Sequence, residues 1–201
     1  MDPLTHALQA IDALHSADPT TTATGTPNEL HYAQRMTAWL YRHTAAPESP
    51  SSPSAALQLA IRAQHLQRWE VPRATYPAGK AGYYAWRTGL ARRQAALAME
   101  VCAASGIAAA EAQRVGRLIR KEGLKGTEVD AEAQVLEDVA CLVFLEEQLE
   151  QFQGGYEEDK VVAILRKTWG KMSERGRELA LTEVQLGERG RELVGLALGD
   201  S

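Results

Sequence analysis

Val135-Leu136-Glu137-Asp138-Val139-Ala140-Cys141-Leu142-Val143-Phe144-Leu145 holds nine apolar residues in eleven, interrupted only by Glu137 and Asp138. A helix that is apolar on nearly every face belongs at the centre of a protein. Asp138 has Val135, Cys141 and Leu142 as its i−3, i+3 and i+4 neighbours, so its carboxylate lies on an apolar face. Such a group costs several kcal/mol, on the order of 3–5, unless it is paired, hydrogen-bonded or metal-bound. An ion pair from Asp138 or Glu137 to a core arginine satisfies it, and so does metal ligation.

Outward from this segment, the helical period predicts one helix from Asp130 to Phe152, stopped by Gly154-Gly155. Glu157–Met172 forms the next, and a charged, Gly-interrupted helix closes the chain. All eight prolines precede residue 78, so the remaining chain can form long helices. Upstream, helices are predicted over Ala109–Glu122, Gly82–Ala104 and Ala55–Trp69, with another starting near Asn28. Strand-like alternation is absent, and the fold class is all-α. The expected organisation is a short helix and linker over 1–27, forming a loosely ordered arm. A compact helical domain follows over 28–182, and a helical tail over 183–201. The Pro/Ser stretch 45–54 and residues 1–26 are expected to add little to the core.

The chain has 201 residues, 45% hydrophobic and 24% charged, which is ordinary globular composition. No apolar run approaches the roughly 20 residues of a membrane span. The start lacks a basic segment followed by an apolar one, so no secretory leader is expected. Cys102 and Cys141 sit in apolar helical patterns without metal-site spacing and read as reduced thiols of a cytoplasmic protein. The net charge of −4 disfavours general nucleic-acid binding. P-loop, dinucleotide-fold, serine-hydrolase and zinc-protease signatures are missing.

Charge is unevenly placed. Arg62–Arg93 holds seven Lys/Arg and one acid; Glu128–Asp159 holds eleven acids and no Lys or Arg. Helix faces of opposite sign packed together account for this, and so does a basic pocket for an anion. Arg68, Arg73, Tyr76, Lys80 and Arg87 lie in a basic, aromatic stretch, with Lys121 as a further cation. Such residues bind phosphate or carboxylate and stack on a planar group, or cover the core as packed arginine stems. His65 has Ile61 and Trp69 at i−4 and i+4 and is a candidate ligand or a hydrogen-bonded core histidine. Glu29 begins the apolar stripe Glu29, Tyr32, Ala33, Met36, Leu40, which turns its carboxylate inward. Thr26-Pro27-Asn28-Glu29 also fits a capping box, the reading the sequence favours.

Glu29–Thr37, Gln64–Trp69, Pro72–Pro77, Gly82–Arg87, Leu136–Leu145 and Arg166–Trp169 together resemble domain-of-unknown-function family 4202, over about residues 28–182. A looser resemblance is to the HD superfamily of metal-dependent phosphohydrolases and oxygenases. The order of its site is echoed by Glu29 or His31, then Gln64-His65, then Asp138. Gln64 alters the His-Asp pair, and Gln94 stands where some relatives have histidine, which weakens a transition-metal site. This resemblance implies an HD-like architecture and a metal-dependent hydrolase or oxygenase for a small anionic substrate, phosphorylated ones among them. His65, Asp138 and Glu29 would hold Mn, Fe, Co, Ni or Zn, with His65, Asp138 and Glu137 catalytic. Arg68, Arg73, Tyr76, Lys80, Arg87 and Lys121 would bind substrate. A ligand-binding or regulatory module without the full metal site is the alternative. An RNA-associated protein, stacking bases on Trp69, Tyr76 and Trp86, is a further one.

Overall fold

A computed structural model describes residues 2–45, 52–124 and 128–199. Ten α-helices account for most of them, no strand occurs among the described residues, and a single antiparallel bridge joins Thr21 to Pro27. Contacts divide the chain into two units, 1–133 and 134–201.

In the first unit, α1 (Pro3–His15), α2 (Asn28–Thr44), α3 (Ala55–Arg62), α4 (Gly79–Ala104) and α5 (Ala109–Ile119) pack around one another. The core holds Ile11, Met36, Trp39, Leu40, Leu59, Ile61 and Leu118, all fully buried. α1 corrects the expectation of a loose arm. Ala7, Ile11 and His15 fall on one stripe and are completely buried. Asp2 caps the helix, Pro3 opens it, and α1 packs on α2, α3 and α4. The expectation for 45–54 falls mainly on residues outside the described ones.

Arg62 ties three helices together. Its Nε and Nη2 donate to the two carboxylate oxygens of Asp12 at 2.5 and 2.7 Å, and its Nη1 donates to Thr37 Oγ1 at 3.0 Å. His15 Nε2 donates to the Arg62 carbonyl at 2.9 Å. A forked, part-buried pair of this kind lies between the surface and core regimes. Arg62→Ala should therefore lower unfolding stability by about 1–3 kcal/mol. Urea unfolding checks this; an unchanged midpoint would mean that α1 docks through apolar contact alone.

α3 ends at Arg62, not Trp69, because His65 and Gln67 take left-handed backbone angles (φ 61° and 50°) that no α-helix accommodates. Short 3₁₀ turns at Arg68–Glu70 and Arg73–Thr75 carry the chain to α4. α5 likewise stops at Ile119, short of the expected Glu122, with Lys121 at φ 57° and Gly123 at φ 91°. α6 (Ala131–Val143) starts on Asp130, whose Oδ1 accepts from the Glu132 and Ala133 amides. Arg114 grips that carboxylate and holds its pKa at about 2.

The second unit comprises the rest of α6, then α7 (Leu149–Gln153), α8 (Glu158–Trp169), α9 (Glu174–Thr182) and α10 (Glu188–Gly199). The expected unbroken helix to Phe152 is interrupted by a π-helical turn, Phe144–Gln148. The wider turn keeps Leu145 and Leu149 buried while Glu147 and Gln148 face water. The expected single tail helix is two: α9 stops at Thr182, and α10 packs on α7 and α8. Arg166 of α8 donates to the carbonyls of Leu196 and Ala197 near the C-terminal end of α10.

Candidate functional site

α2 enters the first unit under the control of a residue outside its own sequence. Asp18 Oδ1 accepts from the Thr20 amide and hydroxyl, and Asp18 Oδ2 accepts from the Glu29 amide at 3.0 Å. The capping box at Thr26–Glu29 does not form; no side chain of that tetrapeptide caps the helix. Asp18 does so instead, which leaves the Glu29 carboxylate on the inward stripe. Tyr32, one turn later on the same stripe, stacks on the His65 ring at 4.0 Å with 10° between planes.

His65 is held by its backbone as much as by its neighbours. Left-handed φ at His65 and again at Gln67 folds the chain back, so that Arg68 reaches the imidazole three residues upstream. Arg68 Nη1 stands 2.8 Å from Nε2 and 3.3 Å from Nδ1. A guanidinium only donates, so it faces the lone pair of a ring nitrogen, Nε2 being the nearer. Nδ1 lies 3.5 Å from Glu29 Oε2. Among the described residues, the non-glycine positions with positive φ are His65, Gln67 and Lys121, each costing roughly 1–2 kcal/mol. Two of them are site candidates.

The electrostatics are those of a crowded cationic cluster. Burial, then Arg68, Arg87, His15 and Lys121, hold the His65 pKa well below 6.5, so its ring is neutral at physiological pH. Burial pushes Glu29 up to about 7, against the opposing pull of Arg68 and with a contribution from Asp18. Burial also draws the Arg68 pKa down, Glu29 opposing and Arg87 adding to it. Arg68 lies over the Trp86 ring at 5.1 Å, and Trp86 Nε1 donates to the Val71 carbonyl at 2.9 Å. Arg87 is exposed, with no hydrogen-bond or ion-pair partner among the described residues.

Glu29, His65 and Arg68 are thus brought together, and Arg87 and Lys121 act on the ring through their charge. Tyr32 is the member that residue-by-residue reading missed, although its place on the Glu29 stripe was a signal. Arg73 and Tyr76 serve the turn itself. Arg73 donates to the carbonyls of Tyr76 (2.9 Å), Pro77 (2.8 Å) and Gly79 (3.3 Å). The Tyr76 hydroxyl packs against Gly89, where a Cβ would come within 2.8 Å of it. Lys80 stands over the Tyr84 ring at 5.9 Å.

Glu137 and Asp138 belong to the second unit. Asp138 is fully buried, as its apolar face requires. It is bound to the start of α9. Asp138 Oδ1 accepts from the Ser173 amide (2.8 Å) and from Gln134 Nε2 (2.9 Å), and Oδ2 accepts from the Ser173 hydroxyl. Glu137 lies 3.5 Å from Lys171 Nζ.

The donor set does not fit the expected metal. Among the described residues, no three His, Cys, Asp or Glu side chains are grouped so as to hold an ion. The His65 lone pair that a metal needs faces a guanidinium, and the Asp138 oxygens are engaged at a helix N-terminus.

A model for a domain of unknown function, DUF4202, matches residues 5–194, and the chain belongs to that family. No curated protein and no solved structure matches, and the looser likeness to the HD superfamily is not shown. No helix among the described residues is long and apolar enough to cross a membrane.

Proposed function

We propose that this DUF4202 chain binds a small anion of the phosphate class in its first unit, on Arg68, Arg87 and Lys121 beside the Glu29–His65 pair. The observation that carries this reading is the Arg68 guanidinium held on the His65 ring with the Glu29 carboxyl beside it, a ring on which the charges of Arg87 and Lys121 also act. Like charges placed together destabilise a folded protein, and a bound anion relieves them. Arg68 supplies a rigid fork for oxyanions, and exposed Arg87 remains available for one. A guanidinium on the histidine lone pair favours a metal-independent binding module over a metal-dependent hydrolase.

A second reading adds catalysis. Glu29 holds a proton to about pH 7 next to a neutral imidazole. Two groups so arranged can pass a proton to or from a bound ester oxygen near neutral pH.

Phosphate and sulfate should raise the melting temperature more than chloride at matched ionic strength, because a ligand of the folded form stabilises it by mass action. The gain is about 2.7 kcal/mol at one hundred times the dissociation constant. Arg87→Ala should remove much of it without loss of fold, since Arg87 is exposed. Equal melting temperatures in all three salts would sink the anion site.

A further inference from the structure

We propose that the anion is the phosphate of a mononucleotide whose base lies on the exposed Tyr83–Tyr84 face of α4. The proposal rests on the anion site described above and extends it to a ligand class. Lys80, Tyr83, Tyr84 and Arg87 stand at i, i+3, i+4 and i+7 of α4, and so share one side of it. Tyr83 and Tyr84 are 44% and 57% exposed, unusual for rings this large on a helix whose other side is buried.

The rings form a continuous series. Tyr84 meets Tyr83 edge-on at 5.9 Å, Tyr83 tilts against Trp86 at 6.0 Å, and Trp86 lies beneath Arg68. Arg68 in turn contacts His65 Nε2. The cationic cluster thus stands at one end of an aromatic surface, and Lys80 over Tyr84 at the other. No acid interrupts it: from Gly79 to Met99, α4 carries no Asp or Glu, and Glu100 is its first.

Inorganic phosphate would use only the cationic end. A ligand that uses both ends needs an anion joined at short range to a flat ring, and one turn of helix separates Arg87 from the tyrosines. A nucleotide carries its phosphate and base on one sugar and meets that requirement. Aromatic faces stack on any base, so the site should show little base preference.

Calorimetric titration of the full chain with inorganic phosphate, ribose 5-phosphate and AMP tests this, alongside Tyr84→Ala, Tyr83→Ala and a single-stranded oligonucleotide. AMP should bind roughly tenfold to hundredfold more tightly than ribose 5-phosphate, the range that one stacked base contributes. Each tyrosine variant should bring AMP toward the ribose 5-phosphate affinity and leave phosphate binding unchanged. Both tyrosines are exposed, so these variants should keep the wild-type helical circular dichroism. AMP and ribose 5-phosphate binding alike, with phosphate still bound, would overturn the nucleotide while leaving the anion site standing. Binding of none of the three would overturn both. AMP affinity unaffected by either tyrosine variant would overturn the placement of the base. An oligonucleotide that binds where AMP does not would assign the face to nucleic acid and overturn the mononucleotide.

Discussion

Asp138→Ala should destabilise the protein by about 2–4 kcal/mol, through the cost of orphaning buried donors and losing a helix cap. The carboxylate organises the start of α9. It takes the Ser173 amide and hydroxyl and the Gln134 side chain, while Ser173 Oγ itself accepts from the Gly176 amide at 3.1 Å. Alanine removes a fully buried acceptor from all three donors, of which Gln134 Nε2 keeps the Lys171 carbonyl. Gly176 supplies an independent check. A Cβ there would fall 2.7 Å from Asp138 Cγ and about as close to both oxygens, so Gly176→Ala displaces the same carboxylate. It should cost about 1–3 kcal/mol by overpacking. The double variant should cost less than the sum, because alanine at 138 removes the atoms that residue 176 would strike. Urea unfolding followed by circular dichroism reads all three. Wild-type stability in Asp138→Ala, or strict additivity, would show that the carboxylate does not hold α9.

The helices themselves could be read from the sequence because apolar periodicity and the absence of proline after residue 77 are local signals. Their ends were harder. Left-handed backbone is expected at glycine, and here His65, Gln67 and Lys121 adopt it; nothing in their side chains announces this. The first helix was undervalued because threonines and prolines downstream of it dominate the composition, while three residues of its stripe are fully buried. At the site, Glu29 and His65 were legible as inward-facing candidates. The choice between cap and site for Glu29 was made by Asp18, eleven residues away. The burial of Asp138 followed from its neighbours, but its partner lies 35 residues on, at a helix start. The basic stretch read as one pool of charge. The fold divides it: Arg73 is consumed by backbone carbonyls of its own turn, whereas Arg68 contacts His65 and lies within the electrostatic reach of Arg87.

Glu29→Gln should raise stability above neutral pH and reverse its acid dependence. The folded protein keeps the Glu29 proton to about pH 7, whereas the unfolded chain releases it near 4.5. Between those values the folded state binds more protons, so this group's stabilisation is complete below pH 4.5 and is lost as pH rises through 7. The difference amounts to about 3–4 kcal/mol as an upper bound, at roughly 1.4 kcal/mol per pH unit. Glutamine never ionises. At pH 8 the variant should therefore melt several degrees higher, about 5–10 °C for a chain of this size, and at pH 4.5 the two should agree. His65 works in the opposite sense. Its folded pKa lies well below 6.5, so its contribution is present above 6.5 and is lost as pH falls. In the wild type the two slopes oppose each other across the acid range; in the variant the Glu29 slope is gone, His65 and the likewise lowered His15 remain, and acidification below 6.5 should become strictly destabilising. Arg68 and Asp18 also face Glu29, and both remain in the variant, so the comparison isolates the one proton. Thermal melts from pH 4.5 to 8 measure it. Coincident curves for the two proteins would mean that Glu29 titrates as an ordinary carboxylate, and the acid–base reading of the Glu29–His65 pair would go with it.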